Sequence, residues 1–232
     1  MPVLVIASTK GGVGKTTLAR MVTATLAAEG TDFLAVDADP NRVLSRWKQN
    51  YYKGADFEMQ AEADADKLAK ILYEHATKGR MIVVDTAGFA NQAALVAMTY
   101  ADAVLVPIMA DEADIDGAET TVDRVRNIAN GARREIPAWV VVNAVRKGTA
   151  LERHIEAELS GLSERKEIRR LDARLSHLVG YGEMSWSGVM PDRGPAKRET
   201  DALIVELKAR GILPTPPSAT GKRGKKTNQA AA

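Results

Sequence analysis

The chain of 232 residues has no cysteine and only three histidines. The first absence removes disulfides, iron–sulfur clusters, cysteine–zinc sites and thiol nucleophiles, and it suits a reducing compartment. The histidines, His75, His154 and His177, are too scattered to make a metal-ligand spacing. Aromatic residues make up 5% of the chain and do not interleave with the basic ones, so stacking on nucleic-acid bases is not expected. No apolar run approaches the ~18 residues of a membrane-spanning helix. The opening Met1-Pro2-Val3-Leu4-Val5-Ile6 lacks the basic region and long apolar stretch of a secretory signal, which makes the cytoplasm the expected location.

What is present is ordinary in amount and uneven in place. Hydrophobic residues are 45% and charged residues 27%, enough for a sizeable core. The formal charge is +2, but the end of the chain holds Lys222, Arg223, Lys225 and Lys226 with no acid nearby; without those four cations residues 1–210 stand at −2. Proline, glycine, alanine and small polar residues fill the same stretch, so 214–232 reads as a disordered basic tail. It is either a solvated end or a weak electrostatic hold on nucleic acid.

The apolar runs are short and β-branched. Val3–Ala7, Phe33–Val36, Met81–Val84, Ala103–Ile108 and Trp139–Val142 read as strands, with shorter ones expected near Ile168–Leu171 and Ser187–Met190. Helices are expected over 16–29, 63–78, 91–100, 114–133, 151–160 and 196–210. Runs that are continuous rather than alternating mean sheet faces covered on both sides. The fold class is therefore α/β, a single doubly wound and mostly parallel sheet in one domain over residues 1–213.

The strongest chemical signal is Ser8-Thr9-Lys10-Gly11-Gly12-Val13-Gly14-Lys15-Thr16-Thr17, which follows a strand and opens a helix. Glycines there let successive backbone N–H groups converge on phosphate oxygens at the positive end of a helix. Lys15 can reach the β- and γ-phosphates, and the Thr16 hydroxyl is placed to ligate Mg²⁺. Two carboxylates, Asp37 and Asp39, sit at i and i+2 where a second strand gives way to a loop, facing the crevice where ligands of α/β proteins bind. A third strand ends on Asp85, which resembles a Walker B aspartate; that resemblance implies a hold on Mg²⁺ through water, because the ion dehydrates reluctantly. A fourth ends on Asn143, whose amide both donates and accepts and so can read an adenine edge.

One position departs from the common phosphate loop: Thr9 stands where glycine is usual, and Lys10 follows it. The Lys10-Gly11-Gly12…Lys15-Thr16 pattern resembles the deviant-Walker ATPases of the ParA/MinD family, and Asp37-Ala38-Asp39-Pro40 resembles their second motif. The strand ending on Asp85-Thr86 resembles their Walker B segment, with Ala87 where proline is common. Around Asp39–Arg42 and Ser45–Trp47 there is a further likeness to small plasmid-borne ParA relatives, including VirC-type proteins that act near T-DNA borders. The resemblance implies that ATP and Mg²⁺ are bound. Lys10 is expected to reach across an ATP-sandwiched homodimer to the partner's phosphates, Asp37 to hold the Mg²⁺ water shell and Asp39 to orient the attacking water. Gly11, Gly12, Val13, Gly14 and Thr17 would surround the nucleotide, with base contacts from Asn143 and from the loop at Pro191. Lys10, Lys15 and Asp39 form the expected catalytic set.

The implied activity is that of a DNA-segregation ATPase, nucleoid-associated, which dimerises on ATP, binds DNA without sequence preference and is stimulated by a ParB-like or other partner protein. Candidate DNA contacts are Arg124, Arg126, Arg133 and Arg134, then Lys197 and Arg198. An ATPase of conjugative or T-DNA transfer, or one that positions a protein cargo, uses the same machine. A MinD-like membrane ATPase needs a bulky amphipathic C-terminal helix; 214–232 has Pro214, Pro216 and Pro217 and none of Leu, Ile, Val, Phe or Trp, so no membrane partner is expected.

Overall fold

Val3-Leu4-Val5-Ile6 is buried at every position, and its alternate side chains enter two separate cores. Val3 and Val5 face one core while Leu4 and Ile6 face the other, which is why the run has no polar side. The computed structural model describes residues 2–88, 91–109, 111–166 and 168–215. The strands are β1 (Val3–Ile6), β2 (Phe33–Ala38), β3 (Glu58–Ala61), β4 (Met81–Thr86), β5 (Ala103–Ile108), β6 (Ala138–Val145) and β7 (Arg169–Ser176). They form a seven-stranded sheet in the order β3-β2-β4-β1-β5-β6-β7, with every pairing parallel.

The helices are α1 (Lys15–Ala28), α2 (Val43–Asn50), α3 (Ala65–Thr77), α4 (Gln92–Tyr100), α5 (Glu112–Ala132), α6 (Ala150–Lys166), α7 (Val179–Ser187) and α8 (Gly194–Ala209). One core receives Leu68 and Leu72 of α3, Met98 of α4, Val122 of α5 and Leu159 of α6. The other receives Leu18 of α1, Trp47 of α2, Met184 of α7 and Leu207 of α8. The chain leaves β1 toward β2 and β3, returns through β4, and continues from β5 on the opposite side of β1. The carboxyl ends of β1, β2, β4 and β5 therefore meet where the connections diverge, the place at which open α/β sheets bind ligands.

The sheet confirms the expected class, and four elements depart from the sequence reading. α2, β3 and α7 were not expected. β3 is an edge strand paired only with β2, and its Glu-Met-Gln-Ala has no apolar run to betray it. The strand expected near Ser187–Met190 is not formed. Gly188 closes α7 in the left-handed region (φ 69°), and its carbonyl accepts from the Lys53 N–H at 3.1 Å rather than from a strand. Ile212 and Leu213 are buried in the second core. Residues 216–232, with the four cations of the expected tail, lie outside the described residues.

Candidate functional site

The loop after β1 is shaped by two glycines with positive φ, Gly12 at 79° and Gly14 at 99°. Gly14 is required twice over: a Cβ there would come within 2.0 Å of Asn143 Nδ2. It is also the N-cap of α1, where no side chain takes up the first helical N–H groups, leaving them available for an anion. The loop is fastened on both flanks. From β6, Asn143 Nδ2 donates to the Val13 carbonyl at 2.8 Å. From α5, the Thr121 hydroxyl accepts the Thr9 N–H at 3.1 Å, and the Thr9 hydroxyl donates to the Gly117 carbonyl at 2.9 Å. Thr9, the departure from the usual glycine, thus ties the loop to α5.

Beneath the loop the charges are buried. Lys15 is 9% exposed, and its ammonium donates to the Lys10 carbonyl at 3.0 Å. Burial lowers its pKa, opposed by the fields of Asp85 and Asp39. Asp85, at the end of β4, is fully enclosed, and neither of its oxygens accepts a well-formed hydrogen bond. Burial pushes its carboxyl up to about 7 against the pull of the neighbouring Thr16 hydroxyl and Lys15, with Asp37 and Asp39 pushing the same way as burial. A carboxylate so placed lacks a cation. Together with the Thr16 hydroxyl and Asp37 it makes an all-oxygen set that suits Mg²⁺ held partly through water.

Asp37 and Asp39 have structural partners of their own. Asp37 accepts the Asp39 N–H (3.2 Å) on one oxygen and the Ser45 N–H (2.7 Å) on the other, so it anchors the first turn of α2. Burial, the largest influence, raises its pKa against those bonds. Asp39 accepts the Asn41 N–H at 2.8 Å and lines a crevice with Thr9, Ala87 and Gly88. The Thr86 hydroxyl donates to the Ile6 carbonyl at 2.9 Å, fixing the end of β4 to the end of β1. Lys10 turns the other way, to the rim. It pairs with Asp114 of α5, which is itself buried, and lies 3.9 Å from Asp111. The hydrogen bond its ammonium donates to Asp114 leads the influences that raise its pKa.

A second cleft, of about 580 Å³, opens on the opposite side of the loop, lined by Gly14, Thr17, Arg20, Asn143 and residues of α7 including Trp186. Pro191 is not in its wall; it packs behind α7, its ring 3.9 Å from where a Cβ on Gly180 would stand. Sequence reading missed both α7 and Arg20 here. Gly180 and Gly182 disguise the helix, and nothing in the spacing marks a buried arginine on α1.

A phosphate-loop fold with paired lysines and three strand-end aspartates invites comparison with known proteins. Residues 1–164 match the family described as VirC1 protein. The chain belongs to the VirC1 family of ParA-like P-loop ATPases. The virC1 protein of Rhizobium radiobacter is 30% identical over 169 residues, covering 70% of this chain and 73% of that protein. The ParA protein of Rhizobium radiobacter is 29% identical over 145 residues, and this match spans 62% of the chain and 65% of ParA's own length. Among solved structures, the ATP complex of a McdA variant from Cyanothece superposes with a TM-score of 0.68 at 16% identity, over 93% of this chain and 98% of that one. At that identity the likeness establishes the fold.

The candidate DNA contacts of this VirC1-family chain are spread over three places. Arg126 pairs with Asp123 within α5 at 2.9 Å, and Arg124 stands on the same helix. Arg133 closes α5 in the left-handed region (φ 52°). Arg134 donates to the Thr99 and Ala101 carbonyls at 2.7 and 2.6 Å, finishing α4, with Asp102 beside it. Lys197 pairs with Asp201 one turn along α8, and Arg198 lines a groove with Lys147 and Glu199. Among the described residues no helix is long and apolar enough to cross a membrane.

Proposed function

We propose that this chain hydrolyses ATP with Mg²⁺ and works as a DNA-segregation ATPase: ATP joins two copies, the dimer holds DNA without sequence preference, and a partner protein stimulates hydrolysis. The observation that carries the reading is the pair of buried charges, Lys15 and Asp85, with the Thr16 hydroxyl beside Asp85, under a glycine cradle. Backbone N–H groups and Lys15 hold the phosphates in place, and positioning with charge stabilisation does most of the work in phosphoryl transfer. Mg²⁺, when bound through Thr16 and by way of water Asp85 and Asp37, would neutralise charge on the β- and γ-phosphates. Asp39 stands in the crevice beside the loop, where a carboxylate can accept a hydrogen bond from the attacking water. Lys10, released from Asp114, serves the second copy's nucleotide.

DNA binding draws on Arg124, Arg126, Lys197, Arg198 and the basic tail, with Arg133 and Arg134 committed to helix ends. Residues 1–210 carry a formal −2, so a local patch doubled by dimerisation must supply the affinity. The match to the VirC1 family favours, as the second reading, the same machine serving DNA transfer. Fluorescence anisotropy with a labelled duplex at several salt concentrations, with ATP, ADP or no nucleotide, tests the proposal. Binding should tighten with ATP and fall with salt at a log–log slope of roughly −0.9 per phosphate neutralised. Equal affinity in all three nucleotide states would reject it.

A further inference from the structure

The cleft beside the phosphate loop holds a charge for which the proposed function has so far no use. Arg20 lies three residues beyond Thr17 on α1, a spacing that puts both on one helix face, and both line the cleft with Gly14, Asn143 and Trp186. Arg20 is only 8% exposed, yet its guanidinium makes no hydrogen bond or ion pair among the described residues, and its Nε is buried without a partner. The face of Trp47, 5.4 Å away, is its close neighbour, and the field of Asp85 opposes the lowering of its pKa by burial. Trp47 is itself fixed, its indole N–H donating to the Met184 carbonyl at 2.8 Å. An Nε–H withdrawn from water with no acceptor is costly to the fold, and the terminal nitrogens, on the wall of the cleft, are free to donate into it.

We propose that Arg20 binds the half of the nucleotide beyond the β-phosphate, donating to a lone-pair acceptor there: the α-phosphate or the edge of the base. This rests on the P-loop reading. With the terminal phosphates in the glycine cradle, the rest of the nucleotide can continue to either side. The crevice on one side carries the carboxylates of Asp39 and Asp64, which repel a phosphodiester. The cleft on the other side carries Arg20 and the hydroxyl of Thr17 on one face of α1. The nucleoside half therefore takes the Arg20 side. The planar guanidinium suits a phosphate or a base edge better than an ammonium would.

Calorimetric titration of the full chain with ATP, ADP, CTP and tripolyphosphate tests this in the wild type and in Arg20→Met, which keeps an apolar stem against Trp47 and removes the charge. Loss of a charge-assisted bond should weaken ADP and ATP roughly ten- to a hundredfold. If tripolyphosphate weakens as well, the acceptor is the α-phosphate; if it is unaffected and the preference for ATP over CTP narrows, the acceptor is the base. Unchanged affinity for ADP and ATP in a folded Arg20→Met overturns the proposal, whereas a wild type that binds no nucleotide strikes the P-loop reading itself. Should Arg20→Met not fold, the same question is put to a chain that keeps Arg20 and carries Trp139→Phe and Trp186→Phe. Saturating ADP must then change Trp47 emission, because the guanidinium over its ring is drawn to the ligand; constant emission overturns the proposal.

Discussion

Two lysines of one loop occupy opposite electrostatic settings. Lys15 is enclosed beneath the glycines, its ammonium bonded to a neutral carbonyl and its pKa lowered by burial. Lys10 is on the rim, its ammonium ion-paired to Asp114 and its pKa raised. The inner region stores poorly compensated charge: a cation on a carbonyl and, near it, the Asp85 carboxyl, whose oxygens accept no well-formed hydrogen bond among the described residues. The rim has its charges matched already. Desolvated, unmatched groups gain most when a phosphate and its counterion arrive, because the low dielectric that makes them costly when empty strengthens every contact when filled. A matched pair, half-exposed at Lys10 and buried at Asp114, gains little from ligand and must instead be taken apart before either member can act elsewhere. On the proposed function, the inner region binds and the rim waits.

The largest expected effect separates the two regions directly. Lys15→Ala should weaken a fluorescent ATP analogue by roughly a hundredfold or more, since it removes the cation under the phosphates and leaves Asp85 facing them alone. Lys10→Ala should leave that affinity nearly unchanged while abolishing the ATP-dependent dimer in sedimentation. Equal losses from both substitutions would erase the distinction between inner region and rim.

The same division governs what the sequence disclosed. The inner region follows from strand ends: Asp37, Asp85 and Asn143 each close a continuous apolar run, so their convergence at the head of the sheet is legible once the strands are parallel. Glycine spacing likewise announces the cradle. The rim depends on contacts between distant segments, and sequence spacing carries no trace of them. Asp114 meets Lys10 only because α5 begins beside the loop, and Thr9 meets Thr121 across more than a hundred residues. α2 was missed because two buried residues, Leu44 and Trp47, are all that mark it, and it starts from Arg42 in the left-handed region. α7 was missed because glycine at two of its nine positions contradicts helical propensity, which packing of Tyr181 and Met184 overrides. Arg20 reads as a surface residue of an amphipathic helix, and only the crossing of α7 and α2 encloses it.

A smaller effect probes the inner region through pH. In the unfolded chain Asp85 titrates near its ordinary 3.8, and in the fold at about 7, so between those values the folded chain holds the extra proton. The nucleotide-free fold therefore loses stability as pH rises through that window, and above it carries a buried carboxylate charge. Asp85→Asn removes the titration. Thermal unfolding without nucleotide should show the variant stabilised at pH 8 by on the order of 1–3 kcal/mol, the gain shrinking as pH falls toward 4. The same variant should bind ATP with less dependence on Mg²⁺. A stability difference that does not vary with pH would mean that Asp85 is not the titrating group.

The smallest expected effect concerns the rim. Asp114 accepts the Met109 N–H at 2.9 Å on one oxygen and pairs with Lys10 through the other. Asparagine at 114 can keep the first bond through its carbonyl oxygen while cancelling the charge that holds Lys10. A partly exposed ion pair is weak, so release should ease dimer formation by no more than roughly fivefold per protomer. On the proposed function each dimer would open two such pairs, and the assembly should respond to both. Asp114→Asn is accordingly expected to lower the ATP concentration at half-maximal dimerisation while leaving nucleotide affinity of the monomer unchanged. The difference should fade in high salt, where the wild-type pair is screened as well. Sedimentation across an ATP series at low and high salt measures all of this. If Asp114→Asn impairs the dimer instead, Asp114 is a partner that Lys10 needs in the assembled state, and the matched charges of the rim belong to the dimer rather than to the waiting monomer.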